Sequence, residues 1–278
     1  MKFELHCHSH YSRGSKIPVE APQSPKEIMQ RAKKIGLDGL ALTDHRTNKG
    51  WKEAREEAKK QKIIFIPAIE IDTLSGHLIG LGLNDSVKNY MSLDDTLDVI
   101  HGQGAISVAP HPFDLKGEGI RNEIKKTDAV EVFNSLSLDK FSNKLAERNA
   151  EKIKKPTVVG SDAHSLEMLG SAINIMNAGD VDSVLKEIKR GNVKFEKNYV
   201  SQQIIINWGK MRMTESYDDI IKYIDKNYSW PKSWISCHML NKFVLSGKSN
   251  DYWMWRYLAR FSFGCSGIYS RIKLAKYY

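Results

Sequence analysis

The chain has 278 residues, a hydrophobic fraction of 41% and a formal net charge of +9. This length and hydrophobic content allow one large α/β domain, or one domain with a small appendage. No apolar stretch approaches a bilayer span, and the start of the chain, with Lys2 and Glu4, is unlike a signal peptide. The three cysteines, Cys7, Cys237 and Cys265, form no paired framework. We therefore expect a cytoplasmic protein without disulfides and without a membrane partner.

The positive charge is concentrated in the last part of the chain. Residues 199–278 contain twelve Lys or Arg and five Asp or Glu, so they carry +7, whereas residues 1–198 carry +2. Five tryptophans lie in the same part: Trp208, Trp230, Trp234, Trp253 and Trp255. A basic, aromatic segment on a near-neutral body fits an anionic partner. A solvated basic helical face explains the same composition equally well.

Apolar runs and helical periodicities alternate along residues 1–198. Strands are predicted at residues 3–5, 37–42, 63–66, 76–81, 105–109, 127–133 and 156–159. Helices are predicted at residues 25–35, 47–62, 93–102, 140–154 and 181–190. Such an alternation predicts parallel βα units, and seven strands instead of eight indicate a distorted barrel.

The pattern changes after Tyr199. A short β-like run at residues 201–207 is followed by helical patterns, which cover residues 214–227, 231–245, 250–263 and, more weakly, 268–277. We therefore divide the chain into an α/β domain at residues 1–198 and a C-terminal extension at residues 199–278. The extension is expected to be basic, rich in Trp and mostly helical.

Four short motifs rich in His, Asp or Glu follow predicted strands. They are Leu5-His6-Cys7-His8, Thr43-Asp44-His45, Ile69-Glu70 and Ser161-Asp162-Ala163-His164. The carboxyl ends of parallel strands carry the active sites of α/β barrels. His6 and His8 are two residues apart on a strand, so both imidazoles point to the same side and can chelate a metal. A single pair of this kind would fit an exposed strand face, but the recurrence at four strand ends indicates a metal site.

These motifs and His111-Pro112 occur in an order and spacing that resembles the PHP (polymerase and histidinol phosphatase) superfamily. The resemblance covers roughly the first 195 residues and is specific because several weak motifs coincide. It implies a distorted (β/α)7 PHP barrel, followed here by the helical extension. It also implies hydrolysis of phosphate esters with two or three divalent metal ions, which would be Mn, Zn or Fe.

The resemblance also implies a ligand set, carried over motif by motif. The first metal would be held by His6, His8, Glu70 and Asp162. A second metal, to which Glu70 would bridge, would also be held by His77 and His111. A third would be held by His45 and His164. Two cations about 3.5–4 Å apart would clamp the attacking and leaving oxygens, and a hydroxide held between them would be the nucleophile.

One position departs from the family pattern. Many members have Asp or His in the loop after the first motif, where this chain has Arg13, and a guanidinium cannot ligate a cation. The third site is then empty, or His10 reaches it, or Arg13 replaces its charge. We favour Arg13 as a phosphate-binding residue, because a guanidinium offers two parallel hydrogen bonds. Asp44 is expected either to ligate a metal or to orient His45, and His164 to act in catalysis as well as in metal binding.

Two polar residues of the sixth predicted strand are expected to support the site. Glu131 is interpreted as a structural carboxylate or as one that holds a metal ligand from behind. Asn134 is interpreted as a cap of the helix that follows.

The leading hypothesis is a metal-dependent phosphoesterase acting on nucleotides or nucleic-acid ends. The loop Thr43-Asp44-His45-Arg46-Thr47 resembles that branch of the family more than the histidinol phosphatases. A histidinol-phosphatase-like small-molecule phosphatase is one alternative, and a non-catalytic PHP binding module is another. The partner would be a phosphorylated small molecule or a nucleotide. The extension would also bind single-stranded nucleic acid if its tryptophans stack on bases. Alternatively, those tryptophans pack a small helical core.

Overall fold

The computed structural model describes residues 1–14, 17–246 and 252–278, and its strands curl into a nearly closed barrel. The strands are β1 (Lys2–Cys7), β2 (Gly39–Leu42), β3 (Ile64–Thr73), β4 (Gly76–Leu81), β5 (Ile106–Ala109), β6 (Ala129–Asn134), β7 (Thr157–Gly160), β8 (Ala172–Ile175) and β9 (Lys194–Lys197). They form one nine-stranded sheet in the order β7-β6-β5-β4-β3-β2-β1-β8-β9. The α/β class and the distorted barrel are therefore confirmed.

Helices follow most of the strands, and four more make up the extension. The first set is α1 (Pro25–Lys34), α2 (Trp51–Gln61), α3 (Leu93–Gly102), α4 (Phe141–Lys152) and α5 (Val181–Arg190). The extension contains α6 (Gln202–Glu215), α7 (Tyr217–Asn227), α8 (Lys232–Leu245) and α9 (Tyr252–Leu274). Ser24 and Glu27 form a reciprocal capping box at the start of α1. In the described part of the chain, no helix combines the length and apolar character that a bilayer crossing needs.

The prediction of parallel units throughout is wrong for part of the sheet. The pairs β3–β4, β4–β5, β1–β8 and β8–β9 are antiparallel. Only Leu74 and Ser75 separate β3 from β4, and a parallel connection would need a crossover of a dozen or more residues. As a result Glu70 lies within a long strand rather than at its end. The hairpin pairs Glu70 with Ile79 and Asp72 with His77, which sets Glu70 and His77 on one face.

Three further expectations about secondary structure are wrong. The β-like run at 201–207 lies mostly within α6, and Ser216 rather than Thr214 precedes α7. The last two predicted helices are one continuous helix, α9; the predicted start at Asn250 lies outside the described residues. The short strands β8 and β9 were not predicted at all.

The extension packs on the barrel. Ile206 and Leu274 are buried, and Trp208 and Tyr277 pack against the apolar core of residues 1–198. The Lys273 ammonium donates to the Leu115 carbonyl at 2.9 Å, which holds the end of α9 against a barrel loop. These contacts place α6 and the end of α9 over the face of the barrel that carries the predicted metal ligands.

Candidate metal centre

The eight predicted metal ligands lie in one cluster. Four overlapping groups of three have nitrogen and oxygen atoms within 4.8 Å of one another. The groups are His6-His8-Glu70, His6-His111-Asp162, His45-Glu70-His77 and His8-His45-His164. Since the groups share members, the cluster can hold more than one cation. The individual ligand roles remain predictions.

Glu70 is the centre of this cluster. Its Oε1 faces two imidazoles, at 2.9 Å from His77 Nδ1 and 3.0 Å from His111 Nε2. Its Oε2 faces three, at 3.3 Å from His6 Nε2, 3.3 Å from His8 Nε2 and 3.4 Å from His45 Nδ1. One carboxylate whose two oxygens serve different sets of nitrogens is suited to bridge two cations.

The donor set fits divalent cations. His8 Nε2 is buried between two carboxylates, 3.3 Å from Glu70 Oε2 and 3.2 Å from Asp162 Oδ1, and makes a hydrogen bond to neither. Burial alone would raise the pKa of Glu70 and of Asp162, but surrounding imidazoles, His6 among them, hold the pKa of both well below its usual range. Ionised carboxylates and unpaired imidazole nitrogens are ligands for Zn, Mn or Fe.

Glu131 and Asn134 fix the orientation of ligands from behind the cluster. His6 Nδ1 lies 2.9 Å from Glu131 Oε1, which leaves His6 Nε2 turned toward Glu70. The other Glu131 oxygen accepts from the His111 backbone N–H at 2.8 Å. The Asn134 amide donates to Asp162 Oδ2 at 3.2 Å. The expected capping role of Asn134 is wrong, because α4 begins after Lys140.

Asp44 acts through a serine. Its carboxylate accepts from the Ser9 backbone N–H at 2.6 Å, from the Ser9 hydroxyl at 2.7 Å and from the Ser12 hydroxyl at 3.1 Å. Ser12 Oγ lies 3.0 Å from His8 Nδ1 and accepts from the His45 backbone N–H at 3.0 Å. Of the two roles predicted for Asp44, this geometry corresponds to orienting the histidines, by way of Ser12.

His164 is held as a neutral imidazole. Its Nδ1 donates to the Asp162 carbonyl at 2.8 Å, which leaves Nε2 as the acceptor. Burial, with His8 stacked at 4.3 Å, lowers the pKa of His164 to about 3. The Trp208 ring lies 5.1 Å from the His164 ring, so the extension reaches this ligand.

Glu20 is a candidate ligand that the sequence analysis missed. Its Oε2 is 3.9 Å from His45 Nε2 and, within the described residues, is buried without a hydrogen-bond partner. Burial raises the pKa of Glu20, and the neighbouring His8 and Arg212 act against that rise. Glu20 therefore places a carboxylate beside the otherwise all-imidazole group of His8, His45 and His164. One signal was available, since Glu20 is the only acidic residue between His10 and Ser24.

Arg13 and His10 stand apart from the cluster. The Arg13 side chain is exposed, and its backbone carbonyl accepts from the Arg46 guanidinium at 2.6 Å. The His10 ring packs on Tyr11, with centroids 4.3 Å apart. Neither residue belongs to the metal-capable groups found among the described residues. Neither lines the cavity of about 440 Å³ that adjoins the cluster, whereas Arg212 and Trp208 of the extension do.

Gly160 is packed tightly behind the cluster. A Cβ at this position would lie 1.9 Å from Glu131 Oε1 and 2.7 Å from the His6 Cβ. We expect Gly160→Ala to displace Glu131 and His6, to reduce bound metal and to lower stability by about 1–3 kcal/mol. Metal analysis and thermal melting would measure both effects. Gly264→Ala is the control, because a Cβ there would meet nothing within 4 Å. Wild-type metal content and melting in Gly160→Ala would contradict this account.

Comparison with known sequences places the chain among archaeal and bacterial relatives. An uncharacterized protein of Methanocaldococcus jannaschii is 36% identical over 152 residues, which are 52% of this chain and 89% of that protein. A 5'-3' exoribonuclease of Haemophilus influenzae is 32% identical over 125 residues, covering 44% of this chain and 42% of the enzyme. This chain therefore spans less than half of that enzyme.

A family model supplies the family, and solved structures supply the fold. Residues 140–193 match the model described as PHP-associated. A two-domain Bacteroides vulgatus protein containing a PHP-like metal-dependent phosphoesterase aligns with a TM-score of 0.57 at 18% identity, over 71% of this chain and 64% of that one. A protein of Bifidobacterium adolescentis, named as a candidate metal-dependent phosphoesterase, aligns with a TM-score of 0.51 at 16% identity, over 72% of this chain and 97% of that one. With the PHP-associated match and the order of its His, Asp and Glu motifs, the chain belongs to the PHP superfamily.

Proposed function

We propose that the protein is a metal-dependent phosphoesterase that hydrolyses phosphate esters of nucleotides or nucleic-acid ends. The observation that carries this proposal is the Glu70 carboxylate, whose oxygens lie within 3.4 Å of five imidazole nitrogens. Divalent cations bound there would neutralise charge on the phosphoryl group and activate water for an in-line displacement.

The chain's own residues prepare this chemistry by fixing the donors. Glu131 and Asn134 hold His6 and Asp162 from behind, so the donor atoms need not reorganise when a phosphoryl group arrives. Ser12 links His8 to the ionisable Asp44, which limits rotation of that imidazole. Hydrogen bonds thus position these donors before substrate enters.

The nucleotide or nucleic-acid part of the proposal has two supports. The Haemophilus influenzae relative acts on RNA from its 5' end, as its name states. In the extension, Trp230, Trp234 and Trp253 are 80%, 61% and 63% exposed and are available to stack on single-stranded bases. These three exposed tryptophans fit the base-stacking interpretation, whereas the buried Trp255 fits the packing of a helical core. Trp208 lines the cavity.

Turnover assays test the proposal. The purified chain, supplied with manganese or zinc, is given para-nitrophenyl phosphate, bis-para-nitrophenyl phosphate, histidinol phosphate, nucleotides and short oligonucleotides. We expect metal-dependent hydrolysis that a chelator removes, with the monoester and the diester showing which bond is cut. Metal-loaded protein that hydrolyses none of them would favour the non-catalytic binding module. Preference for histidinol phosphate over nucleotides would favour the small-molecule phosphatase.

A further inference from the structure

The cavity beside the metal cluster is lined in part by the extension. Its volume, about 440 Å³, falls within the roughly 300–1,000 Å³ of small-molecule sites. The lining combines His111 and Asp162 of the cluster with Ile205, Trp208 and Arg212 of α6. A molecule that fills the cavity therefore contacts the predicted ligands and the extension together.

Trp208 is held in place from both sides. Its indole N–H donates to the Glu20 carbonyl at 2.7 Å, and its ring lies 5.1 Å from the His164 ring. The same residue packs against the barrel core. The ring is fixed in this way and lines the cavity, and aromatic rings stack on nucleobases.

Arg212 lies one turn of α6 beyond Trp208. Its Nε donates to the Val19 carbonyl at 2.9 Å, and its guanidinium carbon is 4.7 Å from the centre of the Trp208 ring. Within the described residues, the carboxylate nearest its Nη2 is that of Glu20, at 3.9 Å, which is too far for a hydrogen bond. The fork of the guanidinium is thus positioned by its neighbours and retains donors for an anion.

Three acidic side chains of the lining, those of Glu118, Asp114 and Asp139, already have partners. The Glu118 carboxylate lies 3.4 Å from the ammonium of Lys116, which also lines the cavity. Asp114 accepts from two backbone N–H groups, at 2.9 Å and 2.7 Å. Asp139 accepts from the Ser142 hydroxyl at 2.9 Å. These pairings reduce the negative field that an incoming anion would meet.

We infer that α6 is the substrate-recognition wall of this site, with Arg212 binding an anionic oxygen of the ester and Trp208 packing on a planar ring. This inference rests on the proposed function, and it names the substrate class as a nucleoside phosphate of mononucleotide size. Leu115, Leu136 and Leu138 supply the apolar remainder of the lining, as expected for a ring held away from water.

Binding measurements with two probes test the inference on the full, manganese-loaded chain. Calorimetry would give the affinities of a non-hydrolysable phosphonate analogue of adenosine monophosphate and of inorganic phosphate for the wild type and each variant. We expect Arg212→Gln to weaken both probes about 10- to 100-fold, since a charge-assisted pair is lost. We expect Trp208→Ala to weaken the nucleotide about tenfold and phosphate little, since only the nucleotide has a ring to stack. Arg256→Gln, an exposed arginine of α9, is the control and should change neither.

Metal content and melting temperature are measured for every variant. If Arg212→Gln or Trp208→Ala binds less metal or melts at a lower temperature than the wild type, Arg212→Lys and Trp208→Phe replace them. The expected losses of affinity are then smaller. Wild-type affinity for both probes in the Arg212 variants would overturn the inference, as would equal losses for both probes in the Trp208 variants. A wild-type chain that binds neither probe would also overturn it. Turnover by the wild type decides the proposed function separately.

Discussion

Glu70→Gln is expected to abolish turnover and to remove most of the bound metal. Each oxygen of Glu70 lies between imidazoles, so the substitution affects every group of donors that contains it, including His6-His8-Glu70 and His45-Glu70-His77. A glutamine keeps the shape, but its amide has one oxygen and no charge to share between two cations. Loss of several kcal/mol of charge stabilisation corresponds to a fall in kcat/KM of about three orders of magnitude or more.

Metal analysis, kinetics with para-nitrophenyl phosphate and thermal melting would be carried out together on Glu70→Gln. The barrel core lies elsewhere, so the variant should still fold. Glu56→Gln, on the exposed face of α2, makes the same chemical change without touching the cluster and should behave as wild type. Wild-type rates in Glu70→Gln, with metal present, would show that the site is misplaced. His6→Ala and Asp162→Ala should lose turnover for the same reason.

Removing residues 199–278 is expected to leave a barrel that aggregates. Truncation would uncover the core residues against which Ile205, Trp208 and Tyr277 pack. It would also remove Ile206 and Leu274, which are buried side chains worth about 1.5–3 kcal/mol each. Soluble yield and light scattering measure the outcome directly.

The matched control for truncation is Trp234→Ser in the full chain. Trp234 is 61% exposed, so this change alters the apolar surface of the extension without uncovering the barrel. It should leave solubility and melting unchanged. A truncated chain that stays soluble, remains monomeric and hydrolyses para-nitrophenyl phosphate would show that the extension is dispensable for folding. In that case salt-dependent binding to single strands would become its remaining test.

Elements whose ends are encoded locally were predicted well. The bounds of β4, α3 and α5 agree with the sequence analysis residue for residue. The reason is visible at the ends of the two helices. Ser92 accepts from the Asp95 N–H at the start of α3, and Gly191 takes the left-handed conformation with φ 72° at the end of α5.

Elements decided by tertiary contacts were predicted poorly. The third strand was predicted to end at residue 66, yet β3 continues through Pro67 to Thr73 because residues 68–73 pair with β4. The β-branched run Ile204-Ile205-Ile206 suggested a strand, but a helix buries Ile206 and packs its neighbours on the barrel. Tertiary packing overrides local propensity where it contributes more free energy of folding.

The residues of the candidate site show the same difference between local signals and tertiary contacts. Its histidines and carboxylates were visible because they recur beside predicted strands, and the structure brings all eight together. Arg212 was not visible, because it reaches the loop of Val19 across 193 positions of sequence. Asp44 was identified, but its route through Ser12 depends on a turn that no periodicity describes.

The connection between sequence order and position in the site has a consequence for biosynthesis. All eight clustered donors lie before residue 165, whereas the α6 residues that line the cavity lie after residue 200. At about 5–20 residues per second, a ribosome needs roughly 4–16 s to add residues 199–278. During that interval the nascent chain contains every donor but lacks α6, so under the proposed role of α6 the complete site forms only after Arg212 has been added.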